Sequence, residues 1–325
     1  MTRNTYYKYA LIALGLIFLI AVGFILLQSW EKDQDDFPEQ ETEENTVLYQ
    51  GTAYVPKKNV ETFLVMGLDQ SGDNTVSESY NNNLNADFLM LFVLDHDAKK
   101  CAAIHINRDT MAEINVLGVS GSKIDTVKKQ IALSHNYGNG GSTSCHNTAD
   151  AVSGLLNGIK VNHYISLKMD SVAILNDLVG GVQVEILEDF TSVDAALIKG
   201  ETVTLTGEQA LHYVRTRYEL DDSTNSTRMS RQKQYLEALF EAFRQRSLVN
   251  SDFSADAVVK LSEYMVSDRS VNQLQSLADQ FKEYEFTGIS DIAGESRMGD
   301  RFVEFYADEA SVEALVMQLF YKPQD

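Results

Sequence analysis

From Tyr9 to Leu27 the sequence runs for 19 residues without a charge. At ~1.5 Å per residue a helix of that length extends roughly 28 Å, about the thickness of a bilayer's hydrocarbon core. Arg3 and Lys8 precede the run. Eight acids and one base follow it between Glu31 and Asn45. The positive-inside rule therefore predicts a cytoplasmic N-terminus and an extracellular location for everything after Gln28. Tyr6, Tyr7 and Trp30 suit the two interfaces. A cleaved signal peptide is the rival reading, but such peptides have a shorter apolar core. This one is long and ends in Phe24, Ile25, Leu26 and Leu27. The expected organisation is a cytoplasmic tail (1–8), a single-pass transmembrane helix (9–28), an acidic stalk (29–58) and one extracytoplasmic domain (59–325).

A net charge of -20 over 325 residues argues against nucleic-acid binding through a general electrostatic field. An anionic ligand would need a local arginine cluster or a bound cation. The two cysteines, Cys101 and Cys145, either pair outside the membrane or serve as two unrelated small apolar residues.

Short apolar runs alternate with helical patterns. Phe63–Met66, Phe88–Leu94, Ala102–Ile106, His163–Leu167 and Val182–Ile186 read as strands. Ile124–His135, Thr148–Leu156 and Ser171–Val179 have helical spacing. Thr206 with Gln209 resembles a capping box opening a helix to Arg217. A long helix is expected from Met229 to Leu248, its stripe at Leu236, Leu239, Phe240 and Phe243. A late strand, Phe302–Tyr306, and a last helix, Ala310–Phe320, complete the pattern. The fold class is α/β, a layered α/β/α sandwich around a central mixed sheet.

Charged residues interrupt this framework at strand and helix ends. Asp69 closes the first strand and Asp87 opens the second, where two carboxylates suit a divalent cation or merely cap turns. Arg108 and Asp109 follow the third strand and could hold an anion or form a surface ion pair. Arg215 and Arg217 end one helix, and Arg228, Arg231 and Gln232 open the next. Arg228 and Gln232 lie four apart on one face. Guanidinium forks beside helix amides suit phosphate. The plainer alternative is salt bridges to Glu208, Glu219, Asp221 and Asp222. The six histidines form no HxH or HExxH pattern, and there is no GxSxG elbow or P-loop.

In order, TFLVMGLD, ADFLMLFVLD, INRDT, SHNYGNGG, HYISLKMDSVAILNDLVGGVQVEI, LTGEQALHYVRTR and RMSRQKQ resemble the LytR-CpsA-Psr family of bacterial cell-wall ligases, over roughly Glu61 to Leu248. The resemblance implies a hydrophobic channel for a polyprenyl tail, with phosphates held at its mouth by arginines and Mg²⁺. It implies transfer of a glycopolymer from a polyprenyl-pyrophosphate carrier to peptidoglycan or another envelope acceptor, at the membrane. On these positions, Asp69 and Asp87 match the metal carboxylates and Arg108 and Asp109 the Arg-Asp pair. Arg215, Arg217, Arg228 and Gln232 match the pyrophosphate and catalytic cluster, with Arg231 beside them. Asp109 is a candidate general base for the acceptor hydroxyl. The chain departs from the family at Gln70 and Ser71, where an arginine is frequent. It departs again at Asn85 and Ala86, which replace Arg-Ser, and at Asn225, near a frequent Asp. The alternatives are a phosphatase acting on the same lipid and a non-catalytic, lipid-binding envelope regulator.

Overall fold

The computed structural model describes residues 46–69, 82–216, 225–280 and 284–324. The apolar run at 9–28, the acidic part of the stalk and Arg217 lie outside them. Among the described residues no helix is long and apolar enough to cross a membrane.

A hairpin, β1 (Val47–Tyr49) and β2 (Thr52–Pro56), precedes the long strands β3 (Val60–Leu68), β4 (Ala86–Asp95) and β5 (Lys100–Ile106). A second hairpin, β6 (Met111–Leu117) and β7 (Lys123–Gln130), leads through a 3-10 helix to α1 (Ser142–Leu155). β8 (His163–Lys168), α2 (Asp170–Val179) and the antiparallel pair β9 (Val182–Glu185) and β10 (Thr202–Leu205) follow. Next come α3 (Gly207–Arg215), α4 (Asn225–Val249), α5 (Phe253–Leu261), β11 (Met265–Ser267), α6 (Val271–Gln280) and β12 (Glu285–Asp291). The hairpin β13 (Gly294–Met298) and β14 (Val303–Ala307), then α7 (Glu309–Phe320) and β15 (Tyr321–Pro323), end the chain.

The central sheet has six strands in the order β11-β8-β3-β4-β5-β12. β3 runs antiparallel to β4 and parallel to β8, so the sheet is mixed. Its strands are apolar on both sides because both faces are covered. Phe63, Val65, Met90 and Phe92 join side chains of α2 to α6 in one core. Leu64, Met66, Leu89 and Leu91 join α1 and α7 in the other. Each such side chain contributes about 1.5–3 kcal/mol on burial. The expected α/β/α layering is observed, as are the Leu236/Leu239/Phe240/Phe243 stripe and the Thr206 capping box.

Two expectations are corrected and one open alternative is decided. Residues 124–135 do not form a helix: β7 takes Lys123–Gln130, and the 3-10 helix takes Ile131–Asn136. Ile124, Val127 and Ile131 fall at helical intervals, but Ile124 is 68% exposed and the segment pairs with β6. The folded region also begins before residue 59. β2 pairs with both β1 and β15, Val55 is buried, and Lys57 N–H donates to the Phe320 carbonyl. The acidic run ends at Glu44, and among the β-prone residues after it β2 pairs with the C-terminal strand. Finally, Cys101 and Cys145 are free, buried thiols. They belong to different cores, with the sheet between them. Burial pushes the Cys145 thiol up to about 12, out of the reactive range.

Candidate functional site

The site lies where β3, β5 and β8 end and β4 begins. Gly67 pairs with Phe88 and Leu68 with Ala86, so Asp87 is the extra residue of a β-bulge. A bulge removes one residue from the strand's alternation and re-aims its side chain. Gly67 permits the close approach, since a Cβ there would stand 2.9 Å from Phe88 Cβ.

The bulged carboxylate of Asp87 meets Arg108 Nη1 at 2.5 Å and Arg228 Nη1 at 3.8 Å. Arg228 Nη2 also donates to the Asp87 carbonyl at 3.2 Å. Asp109, buried beside Arg108, lies 3.5 Å from its Nε and accepts from Gln130 Nε2 at 3.0 Å. Asp69, just after β3, pairs with Arg215 at 2.6 Å, and both side chains are roughly half exposed (43% and 49%). The structure thus brings together Asp69, Asp87, Arg108, Asp109, Arg215 and Arg228 from five separate stretches of sequence.

Arg231 does not join them. It is fully buried and ion-paired with Glu188 at 2.6 Å. Its guanidinium donates to the carbonyls of Tyr213 and Thr216 and lies over the Phe190 ring, 4.9 Å from its centroid. Those are the orphan carbonyls of the α3 C-terminus. The expected substrate contact is therefore a lock between α3 and α4. Gln232 shares in this lock, donating to the Val214 carbonyl at 3.1 Å. It also reaches toward the neutral His105, whose pKa burial pushes down to about 4.

An apolar cavity with an empty volume of ≈ 630 Å³, partly open to solvent, adjoins the cluster. Its walls include Gly67, Phe88, Leu167, Val214, Gln232 and Leu236. Phe88 follows Asp87, Val214 precedes Arg215, and Gln232 is one turn beyond Arg228. The same three backbone segments therefore carry charge on one side and line an apolar space on the other.

Sequence reasoning missed two parts of the site. Lys168, buried at the end of β8 in register with Leu68, lines the apolar cavity. Its signal was a lysine ending a short, wholly buried strand that also carries Tyr164, Ile165 and Leu167. Asn107 and Asn225 are both buried and tie the two halves of the cluster together. Asn225 Nδ2 donates to Asn107 Oδ1 at 2.7 Å, which also accepts from the Asp109 N–H at 3.0 Å. Asn225 Oδ1 in turn accepts from Arg228 Nη2 at 2.6 Å.

The polyisoprenyl-teichoic acid–peptidoglycan teichoic acid transferase TagU of Enterococcus faecalis is 26% identical over 269 residues, covering 82% of this chain and 80% of its own. The protein of the same name from Halalkalibacterium halodurans is 26% identical over 294 residues, covering 82% and 88%. Among solved structures, TagT bound to LIIa-WTA matches with a TM-score of 0.60 at 20% identity, over 81% of this chain and 91% of that one. B. subtilis TagV matches with a TM-score of 0.57 at 24% identity, over 81% and 96%. At these identities the structures establish a shared fold. The model of the LytR_cpsA_psr family matches residues 25–320, and the chain belongs to that family.

Proposed function

We propose that the protein transfers a glycopolymer from a polyprenyl-pyrophosphate carrier to a peptidoglycan acceptor, the activity in the names of its curated relatives. The observation that carries this reading is the shared wall between the charged cluster and the apolar cavity. An amphiphile with an isoprenoid tail and a phosphorylated head matches such a site, because each part meets its own environment without moving the backbone.

Each residue then has a task. Arg108 and Arg228, held in a fixed fork around Asp87, face the oxygens where negative charge develops. Arg215 approaches from the open side, and Lys168 reaches the head group from the apolar floor. Arg217 lies outside the described residues and is assigned to the same cluster from its sequence position. Gln232 stands between tail and head. Among the described residues three carboxylates face three guanidiniums and Lys168, so an incoming pyrophosphate diester leaves the site short of positive charge. Among them no group of three or more His, Cys, Asp or Glu is placed to hold a metal ion. Asp69 and Asp87, at adjacent strand ends, still suit Mg²⁺, which is commonly bound by one or two carboxylates plus substrate phosphates. When bound, Mg²⁺ would supply charge neutralisation at the phosphates.

Two bonds could break: anomeric carbon to pyrophosphate, or phosphorus to bridging oxygen. We take the second, because guanidinium forks such as those bracketing Asp87 suit charge that develops on phosphate oxygens. The acceptor hydroxyl oxygen bonds to the sugar-side phosphorus, and its proton passes to Asp109. The bond to the carrier's phosphate breaks, releasing polyprenyl monophosphate. The uncleaved anchor at 9–28 would hold the domain at the outer membrane surface, beside its lipid donor.

The test is transfer in vitro from a lipid-linked glycopolymer, with the lipid product identified. Acceptor-dependent release of polyprenyl monophosphate is expected. Release at the same rate into water alone would favour the phosphatase alternative, and release of polyprenyl pyrophosphate would move the attack to carbon.

A further inference from the structure

On the opposite face of the sheet from the apolar cavity, a second space of ≈ 1280 Å³ opens between β6, β7, α1, β14 and α7. Its walls are mixed, with Glu113, Lys128, Tyr306, Glu309 and Glu313 beside apolar residues such as Leu155 and Val312. We propose that it binds the acceptor, a neutral, hydroxyl-rich saccharide chain, and delivers one hydroxyl to Asp109. This inference rests on the transferase reading above.

Its position supports the assignment. Gln130, which donates to Asp109 Oδ1 at 3.0 Å, also donates to the Val303 carbonyl at 2.7 Å. Lys128 is two residues back on β7 and so shares a strand face with Gln130, ~7 Å away. Lys128 Nζ stands 6.0 Å from the centroid of the Tyr306 ring. β14 follows the same course, since Phe305 N–H donates to the Asp109 carbonyl at 2.8 Å. Hydrogen bonds therefore tie Asp109 to both β7 and β14, the strands that wall the space. The lipid tail would enter through the α2–α4 layer and the acceptor from the α1–α7 layer, so the two substrates would meet at Asp109 without competing for room.

The charge of the walls selects between the polymers. Three glutamates against Lys128 repel a polyanionic glycopolymer but leave many acceptors and donors for sugar hydroxyls. The Tyr306 side chain adds an aromatic surface, and its hydroxyl is fixed by Glu304 Oε2 at 2.6 Å.

Gly154, near the end of α1, lines the space, and a Cβ there would meet nothing within 4 Å. Gly154→Trp should therefore fill the space without disturbing the fold. In the full chain, the acceptor KM should rise about tenfold or more, while the donor KM and the thermal midpoint stay as in the unaltered protein. An unchanged acceptor KM would overturn the assignment. If the unaltered protein transfers nothing to any acceptor, the transferase reading fails by itself. Binding of a neutral N-acetylhexosamine oligosaccharide, measured without donor, then decides: binding lost in Gly154→Trp sustains the acceptor space, and binding equal in both proteins, or in neither, removes it.

Discussion

The two ends of the central sheet both carry clustered charges, assembled in opposite ways. At the end where β3 begins, Glu61 Oε1 meets His163 Nε2 at 2.8 Å and its Oε2 meets His96 Nε2 at 3.2 Å. His163 Nδ1 continues to Asp268 at 2.8 Å, and His96 Nδ1 to the Tyr284 hydroxyl at 2.7 Å. Every member is answered by another, across β3, β4, β8 and the residues after β11. At the end where β3 stops, Asp69 and Arg215 remain half exposed, and the chain neighbours Phe88 and Val214 of the charged residues line the apolar cavity. A closed network contributes stability and has no room for a ligand. An open one gives up part of that stability and keeps its forks for an anion.

Arg231 tests the comparison most severely, because it belongs to the site's sequence motif but is built like the closed end. Arg231→Met should cost about 3–5 kcal/mol of stability by leaving Glu188 without its partner. Turnover per folded molecule should be nearly normal. Chemical denaturation beside a transfer assay measures both, and lost turnover at full stability would return Arg231 to the binding cluster.

Arg228→Lys keeps the charge facing Asp87 and removes the fork. Transfer should fall roughly 10- to 150-fold, the equivalent of about 1.5–3 kcal/mol, with a much smaller change in the unfolding midpoint. Equal turnover would mean that the open cluster does not touch phosphate.

The closed end should be read by pH. Burial opposes ionisation of Glu61, but hydrogen bonds from His163 and His96 outweigh it and hold its pKa at about 2, from an ordinary 4.5. Burial likewise opposes charging of His163, yet Asp268 and Glu61 raise its pKa above 6.5. The Glu61 contribution is present above pH 4.5 and lost as pH falls toward 2. That of His163 is complete below 6.5 and lost as pH rises through its raised pKa. Urea unfolding should thus show the network strongest between about pH 4.5 and 6.5. Glu61→Gln should lower stability there by about 1–2 kcal/mol and flatten the profile, without altering transfer.

The smallest effect belongs to Asp69→Asn. Its pair with Arg215 is half exposed, so stability should change by less than about 1 kcal/mol. The Mg²⁺ concentration for half-maximal transfer should nevertheless rise. An unchanged Mg²⁺ titration would remove Asp69 from the metal site.

Most of the layered fold was legible because its strands are apolar on both faces and its helices carry clear stripes and a capping box. β6 and β7 were not, because Ile124, Val127 and Ile131 fall at helical intervals, although Ile124 stands on the exposed side of a hairpin and Val127 packs against the core. The site's charged residues were legible at strand and helix ends, where an ionisable group among apolar letters stands out. Their division was not. Arg228 and Arg231 are three residues apart on one helix, and the sequence does not say which faces the cleft and which faces Glu188. The Asn107–Asn225 contact was invisible for a different reason: two amides 118 positions apart carry no local signal.

The bulge at Asp87 has a consequence for how such a chain can change over generations. Residues 88–95 keep their own in-and-out parity, and the ladder resumes at Ala86 on the far side of the extra residue. Position 87 therefore stands outside the parity count that the two cores impose on their neighbours. A substitution at Phe88 or Leu89 must satisfy a packed interior, whereas one at 87 answers to Arg108, Arg228 and what the cleft holds. Evolution can rewrite the chemistry at this point while the surrounding ladder keeps its register; deleting the residue would join Ala86 directly to Phe88, which already face opposite sides of the sheet, and so would only regularise the ladder and remove the re-aimed side chain.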